Sequence, residues 1–199
     1  FIFDKRGNQG FSRFFDWTVL KPIKWRFQLG EGKRQQVQIY NLKINKGWLL
    51  EGESSVEEIS QEEFMAFEKD VLRDIDILLR SRVDEEGMNL YYYGPDDISG
   101  SGELEAVEFL DATNSSVVIF FDLQSRLPTK METHVTNQAG IRQKKETEFY
   151  NWHTIQGIHT PLRTDYFTDG EKSQQVFVEE ISYNIVIPPS YFLEPVRKK

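Results

Sequence analysis

Over residues 11–29 apolar and polar positions alternate strongly. Ile23, Trp25, Phe27 and Leu29 point one way and Lys24, Arg26 and Gln28 the other, the period of a half-buried β-strand. Gly7-Asn8-Gln9-Gly10 reads as a turn, so that residues 1–5 and 11–19 are expected to form a hairpin. Gly30-Glu31-Gly32 turns the chain into a strand over 35–41, and Asn45-Lys46-Gly47 into another over 48–51. Four or five successive strands joined by tight turns make a meander. The period then changes. Phe64, Phe67, Val71, Ile75 and Leu78 recur every three or four residues, with Met65, Leu72 and Leu79 widening the stripe. Glu62, Glu63, Lys69, Asp70, Arg73 and Asp76 occupy the opposite face, and the pattern predicts one long amphipathic helix over about 60–82. Ser60 followed by Glu63 matches a capping box, with negative charge beside the positive end of the helix dipole.

After a polar stretch over 83–89 and a Gly/Asp/Ser-rich loop over 94–102, strand periodicity returns. Residues 104–110 and 116–123 flank the turn composition Asp111-Ala112-Thr113-Asn114-Ser115. Leu127, Thr129, Met131, Thr133 and Val135 alternate with Lys130, Glu132 and His134. Residues 137–140 turn into a very polar strand over 141–149, which suits an exposed sheet edge. Strands over 162–167 and 176–187, separated by Asp169-Gly170-Glu171, complete a second meander. Pro188-Pro189 ends it, and Tyr191-Phe192-Leu193 is expected to dock the tail onto the body. The order strands, helix, strands predicts a mainly β (α+β) single domain over 1–199. In it a curved antiparallel sheet forms an incomplete β-barrel, with the long helix across its concave face.

Charge sharpens this picture. Residues 1–50 carry ten Lys/Arg and three Asp/Glu, residues 51–111 four and nineteen, and the remainder ten of each, giving +7, −15 and 0. Either basic strands attract an acidic helical layer, or an electropositive rim steers an acidic partner. The total of −8 argues against nucleic-acid binding, which depends on neutralising phosphates. No apolar run reaches 18 residues, so no membrane-spanning helix is expected, and the missing initiator Met suggests a mature or trimmed form from which the true N-terminus, and any export signal, has been removed.

Local catalytic chemistry is not encoded. Without cysteine there is no disulfide, thiolate site or cysteine nucleophile. His134, His153 and His159 lack metal-ligand spacing, and neither a GxSxG elbow, a P-loop nor a GxGxxG is present, so no cofactor, metal or catalytic residue is expected. Fifteen Phe, eight Tyr and four Trp are the positive signal. They suit a pocket for acyl chains, or else simply pack a curved sheet.

Several short pieces resemble, in order, the LolA/LolB-type superfamily of lipoprotein carriers. They are Gly47-Trp48, the helix, Phe121-Asp122 with Ser125-Arg126-Leu127-Pro128-Thr129-Lys130, then Tyr150 with Gly157-Ile158-His159-Thr160-Pro161, Glu180-Ile181-Ser182-Tyr183-Asn184 and Phe192-Leu193-Glu194-Pro195. The resemblance spans roughly residues 20–195 but lacks the family's N-terminal helix, and its functional arginine falls on no residue here. It implies an incomplete barrel holding acyl chains in an exported, periplasmic protein that does no catalysis. Trp25, Phe27, Trp48, Phe64, Phe67, Val71, Ile75 and Leu78, on the apolar faces of the early strands and the helix, are the expected cavity lining, with dry core as the alternative. The expected partners are lipid or lipoprotein acyl chains. The rival reading is an interaction or envelope-assembly module that offers a sheet edge or basic rim to envelope proteins.

Overall fold

A computed structural model describes residues 2–4, 11–18, 21–30, 34–52, 55–95, 104–137 and 139–195. The strands form two antiparallel sheets, and the chain divides into two compact units: residues 9–82 with 184–199, and residues 2–8 with 83–183.

In the first unit β2 (Phe11–Thr18), β3 (Lys21–Leu29), β4 (Gln36–Asn41), β5 (Lys46–Glu51) and β6 (Ser55–Glu58) lie side by side in chain order, as the expected meander requires. Gly47, on β5, has a packing reason. A Cβ there would meet the Ile39 carbonyl oxygen and the Ile59 side chain at 3.1 Å, while the Ile59 N–H donates to the Gly47 carbonyl at 2.9 Å.

The helix is shorter than its periodicity suggests. Helix α1 (Gln61–Val71) begins on the expected capping box: Ser60 Oγ accepts from the Glu63 N–H at 3.2 Å, and the Ser60 N–H donates to the Glu63 carboxylate at 3.3 Å. It ends at Val71 because Asp74 takes an extended conformation and its carboxylate accepts the Asp76 N–H at 3.0 Å. That N–H would otherwise have closed the helical bond to Leu72. The orphaned Leu72 carbonyl instead accepts from Arg82 Nη1 at 2.8 Å, which explains why an arginine is buried there. A single turn α2 (Ile75–Ile77) and a π-helical turn over Leu78–Arg82 follow. The expected long helix over 60–82 is therefore corrected to an 11-residue helix and two short turns.

In the second unit β7 (Asn89–Pro95), β8 (Leu104–Leu110), β9 (Ser116–Asp122), β10 (Pro128–Thr136), β11 (Arg142–Ile155), β12 (Ile158–Thr168) and β13 (Glu171–Phe177) are again consecutive, and β1 (Ile2–Asp4) adds to β13. The expected N-terminal hairpin is not formed: β1 pairs with β13, and β2 with β3. The expected strand over 176–187 stops at Phe177, and a last backbone bond runs from the Val178 N–H to the Leu162 carbonyl. The polar strand proposed as an edge is β11, which pairs with β10 on one side and β12 on the other. The single curved sheet closing toward a barrel is likewise corrected to two open sheets, because among the described residues no ladder joins β6 to β7.

The turns follow their residues. The Asp111 carboxylate accepts from the N–H groups of Thr113 and Ser115, both at 2.9 Å, and Asn137 Oδ1 accepts from Ala139 and Ile141. Gln156 and Gly157, at φ 51° and 81°, make the two-residue turn that matches the twist of β11 and β12. Two pieces of the family resemblance meet here: Tyr183 donates its N–H to Gln156 Oε1, and its hydroxyl shares a 2.6 Å hydrogen bond with Thr160 Oγ1.

Candidate functional site

The smaller sheet is covered on both faces. On one, β4 and β5 set Ile39 opposite Trp48 and Val37 opposite Leu50, and Phe192 of the C-terminal segment closes over them with Ile187. This is the docking expected of Tyr191-Phe192-Leu193. Arg26 Nη1 donates to the Tyr191 carbonyl at 3.0 Å, and Asn41 Nδ2 donates to the Phe192 carbonyl at 3.2 Å. Among the described residues, Arg26 Nε and Asn41 Oδ1 are buried without a hydrogen-bond partner, each at a cost of about 1–3 kcal/mol. Burial also draws the Arg26 guanidinium below its ordinary pKa, with Tyr191 opposing the shift.

The other face carries the candidate site. Cross-strand pairing sets Trp25 beside Tyr40, and α1 lays Phe64 and Phe67 onto them. Trp25 stacks on Phe27 with centroids 5.6 Å apart and planes 9° from parallel, and Tyr40 stacks on Phe67 at 3.6 Å and 11°. Trp25 meets Phe67 at 5.0 Å, and Tyr40 meets Phe64 at 5.9 Å. Leu42 and Ile59 pack around the rings. Each ring pair adds about 0.5–1.5 kcal/mol beyond area burial. Burial, reinforced by Glu63, pushes the Tyr40 hydroxyl up to about 12, so that it stays neutral at physiological pH.

Of the eight expected lining residues, the structure brings Trp25, Phe27, Phe64 and Phe67 into this one layer. Trp48 lies on the opposite face of the sheet, with Phe192. Val71 and Leu78 are buried and Ile75 is half-buried, but none of the three belongs to the ring layer. Tyr40, Leu42 and Ile59 were missed. Tyr40 was legible only through register, since nothing local to the strand tells which face meets the helix.

The larger sheet has one apolar and one charged face. Phe109, Val117, Ile119 and Phe149 are buried on the first, together with Thr133, Thr147 and Thr164. On the second, Glu132 and Glu146 stand directly opposite each other. Lys144 Nζ bridges them at 2.9 Å to each, and Lys130 Nζ reaches Glu132 at 2.7 Å. Farther along, Asp165 is 0 % exposed. It accepts from Arg163 Nε at 3.1 Å and from Lys172 Nζ and Gln175 Nε2, both at 2.7 Å. Burial alone would raise the Asp165 carboxyl, but the hydrogen bonds from Arg163, Lys172 and Gln175 outweigh it and hold the group well below the usual carboxylate range.

Depressions lie in this unit among the described residues. One of ≈ 390 Å³ is lined by Gln143, Thr168, Asp169, Glu171 and Ser173. Another of ≈ 240 Å³ is lined by Tyr93, Gly94, Pro95, Ala106, Val118, Phe120 and Glu132. Among the described residues no group of three His, Asp or Glu side chains is placed to hold a metal ion. His134, His153 and His159 are all exposed. No helix is long and apolar enough to cross a membrane, again among the described residues.

Fold and site together define a mainly β protein of two open antiparallel sheets, with a ring-rich layer under a short helix. Among solved structures, the chain is similar to a DUF1329 family protein from Desulfovibrio piger, with a TM-score of 0.52 and 16% identity, covering 92% of this chain and 86% of that one. It also matches a LolA superfamily protein from Nitrosomonas europaea, with a TM-score of 0.39 and 12% identity over 92% and 87% of the two chains. At 16% identity the likeness to the first of these is one of fold. No family model and no curated protein matches the chain.

Proposed function

We propose that this protein is a non-catalytic periplasmic carrier or binding protein for lipoprotein acyl chains or another lipid-like ligand, taken up between α1 and the smaller sheet. The observation that carries the reading is the layer of Trp25, Phe27, Tyr40, Phe64 and Phe67. Five rings meet beneath a helix of only 11 residues. A helix this short, held to its sheet by ring contacts, can move away and exchange them for contacts with an acyl chain at little net change in apolar burial. Phe27 and Phe67 are half-buried and mark where the layer reaches solvent. The periplasmic assignment rests on the LolA-type resemblance alone. Transfer of this kind needs no cofactor.

Native mass spectrometry of gently purified protein, followed by denaturing extraction and lipid analysis, tests the reading. The expected result is a stoichiometric acyl-chain ligand that is lost in a folded Phe67→Asp variant. A clean apo mass that does not move when lipid or lipopeptide is added would sink the carrier reading. The ring layer would then be dry core, and the chain an interaction module of the cell envelope.

A further inference from the structure

Strand β7 closes one end of the larger sheet, and among the described residues nothing pairs with its outer side. Edge strands are ordinarily short, charged or bent, because their free N–H and C=O groups otherwise recruit another chain. Edge strand β6 of the smaller sheet follows that rule: it has four residues, ends in Glu57-Glu58, and Glu58 is paired with Lys46 at 3.1 Å. β7 does not. It runs for seven residues, and its centre is Leu90-Tyr91-Tyr92-Tyr93, exposed by 48, 49, 64 and 64 % respectively. Four consecutive large apolar or aromatic side chains in water, on an unpaired edge, are an arrangement that binding surfaces retain.

The surrounding charge selects the occupant. Among the described residues, 83–95 and 104–108 contain five Asp/Glu and no Lys, Arg or His. Glu108 pairs across from Tyr91, and Glu105 accepts from the Tyr92 hydroxyl at 3.4 Å. A ladder shift between Tyr92 and Gly94 opens the ≈ 240 Å³ depression, walled by Tyr93, Gly94 and Pro95 and floored by Ala106, Val118 and Phe120. We propose that β7 is a docking edge that receives, by strand addition, an extended segment of a partner protein in which lysine or arginine alternates with apolar residues. Backbone hydrogen bonds to β7 supply affinity, and the tyrosine faces and neighbouring carboxylates select cations. A second copy of this chain, edge to edge, would set two such acidic segments against each other, and an anionic membrane would meet the same repulsion. The inference stands apart from the carrier reading, since it uses a different unit and no lipid.

Fluorescence anisotropy with a labelled synthetic peptide alternating lysine and valine, added to the full chain, is the test. Saturable binding that weakens as salt rises is expected. So is a loss of affinity of about tenfold or more in the Tyr92→Lys/Tyr93→Lys double variant, with unchanged thermal unfolding. Amide hydrogen exchange over residues 89–95 should slow when the peptide is present. The proposal is overturned by absence of saturable binding, by equal binding of a peptide with glutamate in place of lysine, or by equal binding to the double variant. Sedimentation showing self-association through 89–95, or binding to anionic vesicles that the double variant loses, would give the edge to a second copy or a membrane and overturn it equally.

Discussion

The smaller sheet buries rings and branched aliphatics on both faces, with α1 over Trp25 and Tyr40 and Phe192 over Ile39 and Trp48. The larger sheet buries most such side chains on one face; the other buries Phe120 and Ala106 but also carries Lys130, Glu132, Lys144, Glu146, Arg163, Asp165 and Lys172. The first device depends chiefly on shape. The second depends on every charge keeping its partner, because an isolated buried carboxylate is far more costly than an exposed one. The contrast also explains β11: its polar sequence belongs to a central strand whose outward side chains are tied into an ion-pair lattice.

The largest expected effect is in the smaller sheet. Phe64→Ala removes a ring that is 2 % exposed and should destabilise the protein by about 3–5 kcal/mol in urea unfolding. A change below about 1 kcal/mol would mean that the ring layer is loosely packed, and would break the contrast from that side.

Next comes Asp165→Ala, which leaves Arg163 and Lys172 without their shared acceptor and should cost about 3 kcal/mol. Its pH dependence is the sharper test. The folded-state carboxyl lies below its unfolded value, so its contribution is full above about pH 4 and is lost as pH falls through the depressed folded value. Acid titration should therefore steepen the loss of stability below about pH 4 in the wild type and flatten it in the variant. Identical acid profiles would remove Asp165 from the account.

The smallest effect is expected at the start of α1. Ser60→Ala deletes the acceptor for the Glu63 N–H and should cost about 1 kcal/mol by thermal unfolding. If carriage requires α1 to lift, the same variant should also exchange a fluorescent fatty acid faster than wild type. Unchanged exchange would argue that the helix does not move.

Much of the fold was legible because its signals are local. Alternation, Gly- and Asp-based turns and the Ser60/Glu63 cap act within a few residues, and they placed β3 to β5, most of the second meander and the start of α1. Leu90–Tyr93 escapes such a reading, although three consecutive tyrosines carry strand propensity, because the run does not alternate. The end of the helix was misread for a physical reason. The apolar stripe continues through Ile75 and Leu78, and only the competition of the Asp74 carboxylate for one N–H, with Arg82 reaching back to the freed carbonyl, stops it.

By itself the sequence determined most element types, the consecutive order of strands within each meander and the wealth of rings, since the first two follow from near neighbours. Tertiary structure decided where hydrogen-bond ladders stop, that Trp48 and Trp25 face opposite ways, that β11 is central and β7 is the edge. These depend on which strands pair and in what register, and pairing energy is shared between segments far apart in the chain.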